Sequence, residues 1–372
     1  MNISRICSRC HTRYAVDTLA YRCQCGGAFE LEKTPVELPI GKIKDRPGSI
    51  WRYREVLPIE DDENIVTLGE GMTPLIKESL CGKDVLLKLD YLFPSGCYKD
   101  RGASVLVSKM KELGIMRAVE DSSGNAGAAL AAYCARAGIG CEIYCPEDTS
   151  KEKLVQISLY GAKLNRIPGP RENTATAIRE KAKDVFYASH NWNPFFLEGT
   201  KTVFYEICEQ LDWNAPDSVI MPVGYGSIIL GIALAGRELR AMGVIDRLPR
   251  LVAVQTEACP PVYRAFIKGE TGVAPLTEAG PTLAEGIACS NPVRGRQILE
   301  AVRDSNGEVV TVSEKDIIEG MAVLARKGIC VEPTSAVVVG ALKKSAKVVE
   351  GETNVVILTS SGLKATDKMK LM

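Results

Sequence analysis

Apolar residues in this chain cluster into short unbroken runs, set apart by longer stretches with helical spacing. Val85-Leu86-Leu87-Lys88-Leu89, Arg117-Ala118-Val119, Glu142-Ile143-Tyr144-Cys145 and Lys163-Leu164-Asn165-Arg166-Ile167 predict strands in the first half. Val219-Ile220-Met221-Pro222-Val223, Leu251-Val252-Ala253-Val254 and Val355-Val356-Ile357-Leu358 do so in the second. Between them, Val105, Leu106, Met110 and Leu113 fall on one side of a helix predicted over 102–114. An alanine-rich helix runs to about Ala137, and Thr149-Ser150 caps another that ends near Tyr160-Gly161. Ser313-Glu314-Lys315-Asp316 opens a further helix with a capping-box pattern. Strands and helices alternating at these intervals predict an α/β fold of two open parallel-sheet domains, with functional loops where strands end.

One apolar stretch invites a different interpretation. Ser218 to Gly236 is 19 residues without a charge, near the length of a membrane-spanning helix. Pro222 and glycines 224, 226, 231 and 236 interrupt it, so strand, glycine loop and helix start account for it and no span is expected. At 372 residues the chain has room for two domains and a small module. Its 46 basic residues balance 46 acidic ones, which offers no handle for nucleic acid or an anionic membrane. The first residues lack an apolar core segment, so no secretory signal is expected.

Thirteen cysteines without such a signal imply reduced thiols and a cytoplasmic location. Four of them are paired differently. Cys7-Ser8-Arg9-Cys10 is followed, twelve residues on, by Cys23-Gln24-Cys25-Gly26-Gly27. Two close pairs on two tight turns supply four thiolates to a tetrahedral zinc ion, and a four-cysteine site is structural because no coordination position stays open. A set of ordinary buried cysteines is the alternative, and His11 is a further candidate ligand made awkward by its position beside Cys10. The second pair is C-x-C rather than C-x-x-C. From Lys33 to about Arg54, three prolines among charges predict a linker or wrapping arm.

Chemistry-bearing residues gather in loops. Pro94-Ser95-Gly96-Cys97-Tyr98-Lys99-Asp100-Arg101-Gly102 stops a strand and presents Lys99 at the mouth of a helix, as a surface charge or as an amine tuned by its surroundings. Gly224-Tyr225-Gly226-Ser227-Ile228 lies between a buried strand and a helix start, where free N–H groups and close backbone approach suit a phosphate. The third glycine of a dinucleotide fingerprint is absent, with Ile229 in its place, and no Gly-Lys-Ser/Thr follows. Asp121-Ser122-Ser123-Gly124-Asn125 has the hydroxyls, side-chain amide and helix-start N–H groups, Ala126 included, to hold a small carboxylate, although an ordinary N-cap explains the same residues. Thr359 stands as a neutral hydroxyl at the end of a buried strand.

Taken together, a lysine, a phosphate cradle, an anion loop and a neutral hydroxyl are the parts that pyridoxal phosphate needs. Ser95–Gly102, Ser122–Asn125 and Gly224–Ser227 resemble the signatures of the fold-type II (tryptophan synthase β-like) pyridoxal-phosphate enzymes. Within that group the chain is most similar to the threonine synthases, through Leu68-Gly69-Glu70-Gly71-Met72-Thr73-Pro74-Leu75, Asn193-Pro194, Leu197–Thr202, Val331–Ala336 and Leu358–Lys364. The resemblance implies a zinc-ribbon-like module at 1–32, a large cofactor-binding domain of 33–90 and 203–372, and a small α/β domain of 91–202. It implies that Lys99 carries the cofactor as a Schiff base and that Asn125 bonds the ring hydroxyl. Residues Gly224, Tyr225, Gly226, Ser227 and Ile228 would cradle the phosphate, and Thr359 would face the ring nitrogen. Ser122, Ser123, Ala126 and Lys201 would meet the substrate.

The expected activity is a threonine synthase-like lyase, converting O-phosphohomoserine and water to threonine and phosphate. A serine/threonine dehydratase-type ammonia-lyase or β-replacement enzyme is the alternative, and an inactive binding regulator a minor one. A small amino-acid substrate and a homodimer complete the implied picture, without nucleic acid or membrane. Four positions depart from the pattern. Phe196 stands where an arginine meets the substrate phosphate in threonine synthases, and a phenyl ring cannot pair a dianion. Glu120-Asp121 puts two acids beside a loop meant for anions. Ser360-Ser361 replaces a more usual glycine and polar partner. Ala284-Glu285-Gly286-Ile287-Ala288 looks more like a dehydratase segment. Lys201, Arg101 and Arg294 are candidates to replace the missing arginine.

Overall fold

Six of the seven predicted runs become inner strands of largely parallel sheets, because a strand covered on both faces has no polar side to show, while Lys163–Ile167 forms an edge strand. The computed structural model describes residues 3–149, 151–169 and 171–371. In chain order its strands are β1 (Ile3–Cys7), β2 (Arg13–Tyr14), β3 (Phe29–Lys33), β4 (Leu75–Leu80), β5 (Lys83–Lys88), β6 (Arg117–Glu120) and β7 (Gly140–Pro146). They continue with β8 (Lys163–Ile167), β9 (Phe186–Tyr187), β10 (Ser218–Pro222), β11 (Arg250–Thr256), β12 (Glu308–Val312) and β13 (Asn354–Ile357). The helices are α1 (Ile40–Ile43), α2 (Lys99–Glu112), α3 (Asn125–Ala137), α4 (Lys151–Leu159), α5 (Arg171–Lys181) and α6 (Pro194–Thr200). Then come α7 (Thr202–Gln210), α8 (Ser227–Ala241), α9 (Pro261–Ile267), α10 (Gly295–Asp304), α11 (Glu314–Ala325) and α12 (Pro333–Lys344). Two compact units result: Met1–Gly71 with Lys99–Thr200, and Met72–Tyr98 with Lys201–Met372.

The first unit holds a parallel sheet of order β8-β7-β6-β9 and a small antiparallel sheet of order β2-β1-β3. Residues 33–71 pack with this unit. Ile50 and Leu57 lie against Val105 of α2, and the backbone of Val66 exchanges hydrogen bonds with Ser104 and Ser108. Sequence periodicity missed α6, whose seven residues are all buried and therefore carry no polar face to reveal a helical period. It lies tight on α2: a Cβ on Gly199 would sit 2.0 Å from the Arg101 carbonyl oxygen.

The second unit is built on a sheet of order β12-β11-β10-β13-β5-β4, parallel except for the antiparallel edge strand β4. Its central strands β10 and β13 are buried at every position. Helix α12 buries Pro333 through Leu342, and its valines share one core with Ile220, Val252 and Val356. The capping box forms as predicted: Ser313 accepts from the Asp316 N–H, and Asp316 accepts from the Ser313 N–H. Of the predicted Thr149-Ser150 cap, Ser150 lies outside the described residues. Among the described residues no helix is long and apolar enough to cross a membrane; the uncharged 218–236 stretch is strand, turn and the start of α8.

Candidate active site

In the second unit, the turn after β5 is stitched to the end of β13. The Tyr98 N–H donates to the Thr359 carbonyl (2.9 Å), the Ser361 N–H to the Gly96 carbonyl (2.9 Å), and Lys364 Nζ to the Ser95 carbonyl (2.8 Å). The Tyr98 hydroxyl lies 2.9 Å from Ser227 Oγ at the start of α8. Three remote sequence segments thus meet around Tyr98. Lys99 is the next residue and opens α2.

Ahead of α8, Gly226 adopts a left-handed φ of +89°. A Cβ on Gly224 would come within 2.9 Å of Ile287 Cα, so a side chain has no space there. The backbone can therefore approach an anion closely, and the first N–H groups of a 15-residue helix lack intrahelical partners. This contact also places the 284–288 segment against the glycine loop.

Thr359, almost fully buried, pairs its hydroxyl with Ser335 Oγ at 2.8 Å. Ser335 Oγ in turn accepts from the Thr359 N–H (3.0 Å) and the Ser360 N–H (2.8 Å). The end of β13 is therefore a network of neutral hydroxyls. Ser335 was missed as a site residue because a serine one turn into a buried helix gives no signal of which strand it will meet.

In the first unit, Ser122 and Ser123 are half-buried ahead of α3, which Asn125 opens, while Ala126 is buried. The acids beside this loop turn inward. Asp121 accepts a hydrogen bond from the Tyr187 hydroxyl (2.7 Å), and Glu120, fully buried at the end of β6, lies 2.6 Å from His190 Nδ1. Burial pushes the Glu120 carboxyl well above the usual carboxylate range, with Asp121 and Cys141 adding to it against the pull of His190 and Lys99. His190 is one of only two histidines in the chain, a rarity that could have flagged it.

The raised Glu120 carboxyl fixes the sign of one pH effect. Its stabilising protonation is fully present below the ordinary carboxylate range and is lost as pH rises through the raised value. Glu120→Gln keeps the shape and removes that titration. Its stability relative to the parent should therefore rise between about pH 5 and about pH 8. Urea midpoints at both pH values check this, and parallel pH dependence in the two proteins would refute it.

Phe196 is in the core, not at an open surface. Its ring packs where a Cβ on Gly102 would sit, only 2.4 Å from Cε1. Lys99 Nζ lies 5.8 Å from the Phe196 ring centroid, and His190 meets the same ring edge-on at 6.0 Å. In the second unit, Lys201 is buried and held by both carboxylate oxygens of Glu238 (2.9 and 2.8 Å), to which the Tyr205 hydroxyl also donates. Arg101 and Arg294 are likewise buried.

A family-wide profile described as "Pyridoxal-phosphate dependent enzyme" matches residues 66–361. The chain belongs to that family. Threonine synthase from Methanocaldococcus jannaschii is 36% identical over 376 residues, covering 97% of this chain and 93% of that protein. Threonine synthase from Methanosarcina acetivorans is 33% identical over 368 residues, covering 96% and 90%. Among solved structures, serine racemase from Dictyostelium discoideum superposes with a TM-score of 0.67 at 25% identity, covering 78% of this chain and 92% of that one. The protein is a pyridoxal-phosphate-dependent, threonine synthase-like lyase. The glycine cradle that excludes a Cβ and the neutral hydroxyl pair at Thr359 fit the phosphate and the ring nitrogen of this cofactor.

The N-terminal cysteines of this enzyme form a second candidate centre. One sulfur from each of Cys7, Cys10, Cys23 and Cys25 lies within 4.8 Å of all the others. The glycines are required here, since a Cβ on Gly27 would meet Cys7 Sγ at 2.6 Å and Gly26 has a φ of +82°. His11 is not part of the group. Four convergent thiols on two turns fit a thiophilic divalent cation. Metal analysis of a Cys7→Ser/Cys10→Ser variant should show about one equivalent of zinc fewer than the parent; equal metal contents would rule the site out.

Proposed function

We propose that this enzyme converts O-phosphohomoserine and water to threonine and phosphate. The observation that carries the proposal is the junction around Tyr98, where the end of β13 and the start of α8 share hydrogen bonds with the residue before Lys99. Relatives that align over almost the whole chain are named threonine synthases, which supports threonine as the product. Bound pyridoxal phosphate supplies an electron sink for the substrate α carbon. Lys99 would be the attachment point, and its Nζ, when free, would take and return protons at the substrate carbons as phosphate leaves and water adds. Residues 224–228 hold the cofactor phosphate with backbone N–H groups, Asn125 bonds the ring hydroxyl, and Thr359 offers the ring nitrogen a neutral partner. Ser122, Ser123 and the Ala126 N–H orient the substrate carboxylate.

Ammonia-lyase or β-replacement chemistry on serine, threonine or a related amino acid is the second possibility, favoured by a specific observation. The side chain at the expected phosphate position, Phe196, is a buried phenyl, and Lys201 is already engaged by Glu238. Phosphate release from O-phosphohomoserine, set against 2-oxo acid release from threonine and serine, separates the two. No phosphate release at any concentration would reject the first. The proposal also takes the enzyme as a cytoplasmic homodimer, for which sedimentation of the holoenzyme is the check.

A further inference from the structure

The four-cysteine module is too small to hold itself together by burial. It has three short strands and a core of Cys7, Cys23 and Phe29, with Tyr14 and Ala20 packed on it. Domains of this size fold with the help of a metal or of larger neighbours. This module uses a particular neighbour, the segment from Tyr187 to Glu198.

Three residues of the module make that connection. Arg5, two residues before Cys7, is buried with its guanidinium 5.5 Å from the Phe195 ring centroid. Lys109 of α2 lies over the same ring at 5.6 Å, so Phe195 is held between the module and α2. Tyr21, two residues before Cys23, meets Tyr187 (5.3 Å) and Trp192 (5.5 Å) edge-on. Lys33, at the end of β3, pairs with Glu198 in α6, both side chains nearly buried.

The same segment faces the chemistry. Tyr187 donates to Asp121 at the start of the Ser122–Asn125 loop, and His190 holds Glu120. Phe196, the neighbour of Phe195, lies beneath Lys99 Nζ. Every residue named belongs to one compact unit.

We propose that the four-cysteine module is a positioning part of the active site, so that its metal loading sets the turnover rate while cofactor attachment at Lys99 persists. The proposal rests on Lys99 as the attachment point and on the cysteines as metal ligands. Arg5, Tyr21 and Lys33 are positioning residues that act through the 187–198 segment. Their coupling to metal follows from one feature. Arg5 Nη1 donates to the Ala20 carbonyl, but Nε and Nη2 are buried without hydrogen-bond partners. Keeping a partly unsatisfied guanidinium out of water is unfavourable, so docking depends on order imposed elsewhere in the module. Metal binding supplies that order, because its free energy is also folding free energy.

The test uses the holoenzyme. Zinc is stripped with a thiophilic reagent under reducing conditions and then restored, with kcat, KM, Trp192 emission and the circular dichroism of the bound cofactor followed throughout. Trp192→Phe identifies the emission that belongs to Trp192. Stripping should lower kcat about ten- to hundredfold, the scale of a small misplacement of reacting groups. Trp192 emission should shift to the red, the cofactor's visible absorbance should keep its intensity, and zinc should reverse both changes. A red shift without any fall in kcat would overturn the proposal, as would no change in either.

Arg5→Met and Tyr21→Leu leave the metal ligands intact and keep the test open if stripped protein aggregates. Both should retain metal, lose kcat more than they raise KM, and alter the cofactor's dichroism; parent-like kcat and dichroism in both would overturn the proposal. Where no assayed substrate is turned over at all, the reaction proposed above has failed instead. The dichroism still decides on the module: a change on zinc removal supports it, and an unchanged spectrum refutes it.

Discussion

Lys99→Ala should abolish the visible absorbance of the attached cofactor and slow turnover about 10²–10⁴-fold, the range supplied by a positioned proton-transfer group. Stability should hold or rise slightly. Lys99 is the first residue of α2, where the positive end of the helix dipole disfavours a cation. A lysine kept there for structure alone would be poorly placed. The turn before Lys99 is held by backbone hydrogen bonds, the Tyr98 N–H donating to the Thr359 carbonyl and the Ser361 N–H to the Gly96 carbonyl. Absorbance spectra of the purified variant provide the check. Persistence of the band in Lys99→Ala would overturn the attachment.

Phe196→Ala should destabilise the protein by about 3–5 kcal/mol, as expected for emptying a buried aromatic site. The ring is almost wholly buried and is packed on Gly102, whose missing Cβ makes room for it. Phe196→Arg, which restores the residue that threonine synthases place here, should also destabilise. A guanidinium in this slot would be a buried charge with a phenyl-shaped space around it. Urea unfolding of the two variants beside the parent measures both. If Phe196→Arg were instead as stable as the parent and bound O-phosphohomoserine more tightly, the slot would be open to substrate after all.

Much of the architecture was legible because its signals are local. A parallel strand buried on both faces writes an unbroken apolar run, so β10, β11 and β13 were found within a residue or two. Glycine-bounded strand ends marked the loops at 94–98 and 224–226, and Ser313 with Asp316 marked a helix start that formed as expected. The cysteine spacing at 7, 10, 23 and 25 marked four sulfurs that do converge. Helix α6 left no trace, since a helix buried all round has no amphipathic period.

The Lys99 loop shows where local information stops. Its own loop offers Lys99 as a surface charge or a tuned amine, and only the other strand-end loops and the family resemblance single it out as the cofactor lysine. The amino-acid pattern determined the parallel α/β class, the glycine turns and the residue types available to hold a phosphate, a ring and a carboxylate. Only the tertiary structure decided that Thr359 and Ser335 pair, that Tyr98 reaches Ser227, that Glu120 turns inward to His190, and that Phe196 lies in the core under Lys99. The physical reason is range. Backbone conformation and apolar period are set by neighbours a few residues apart, whereas hydrogen bonds and burial across a hundred residues or more depend on how sheets and helices stack.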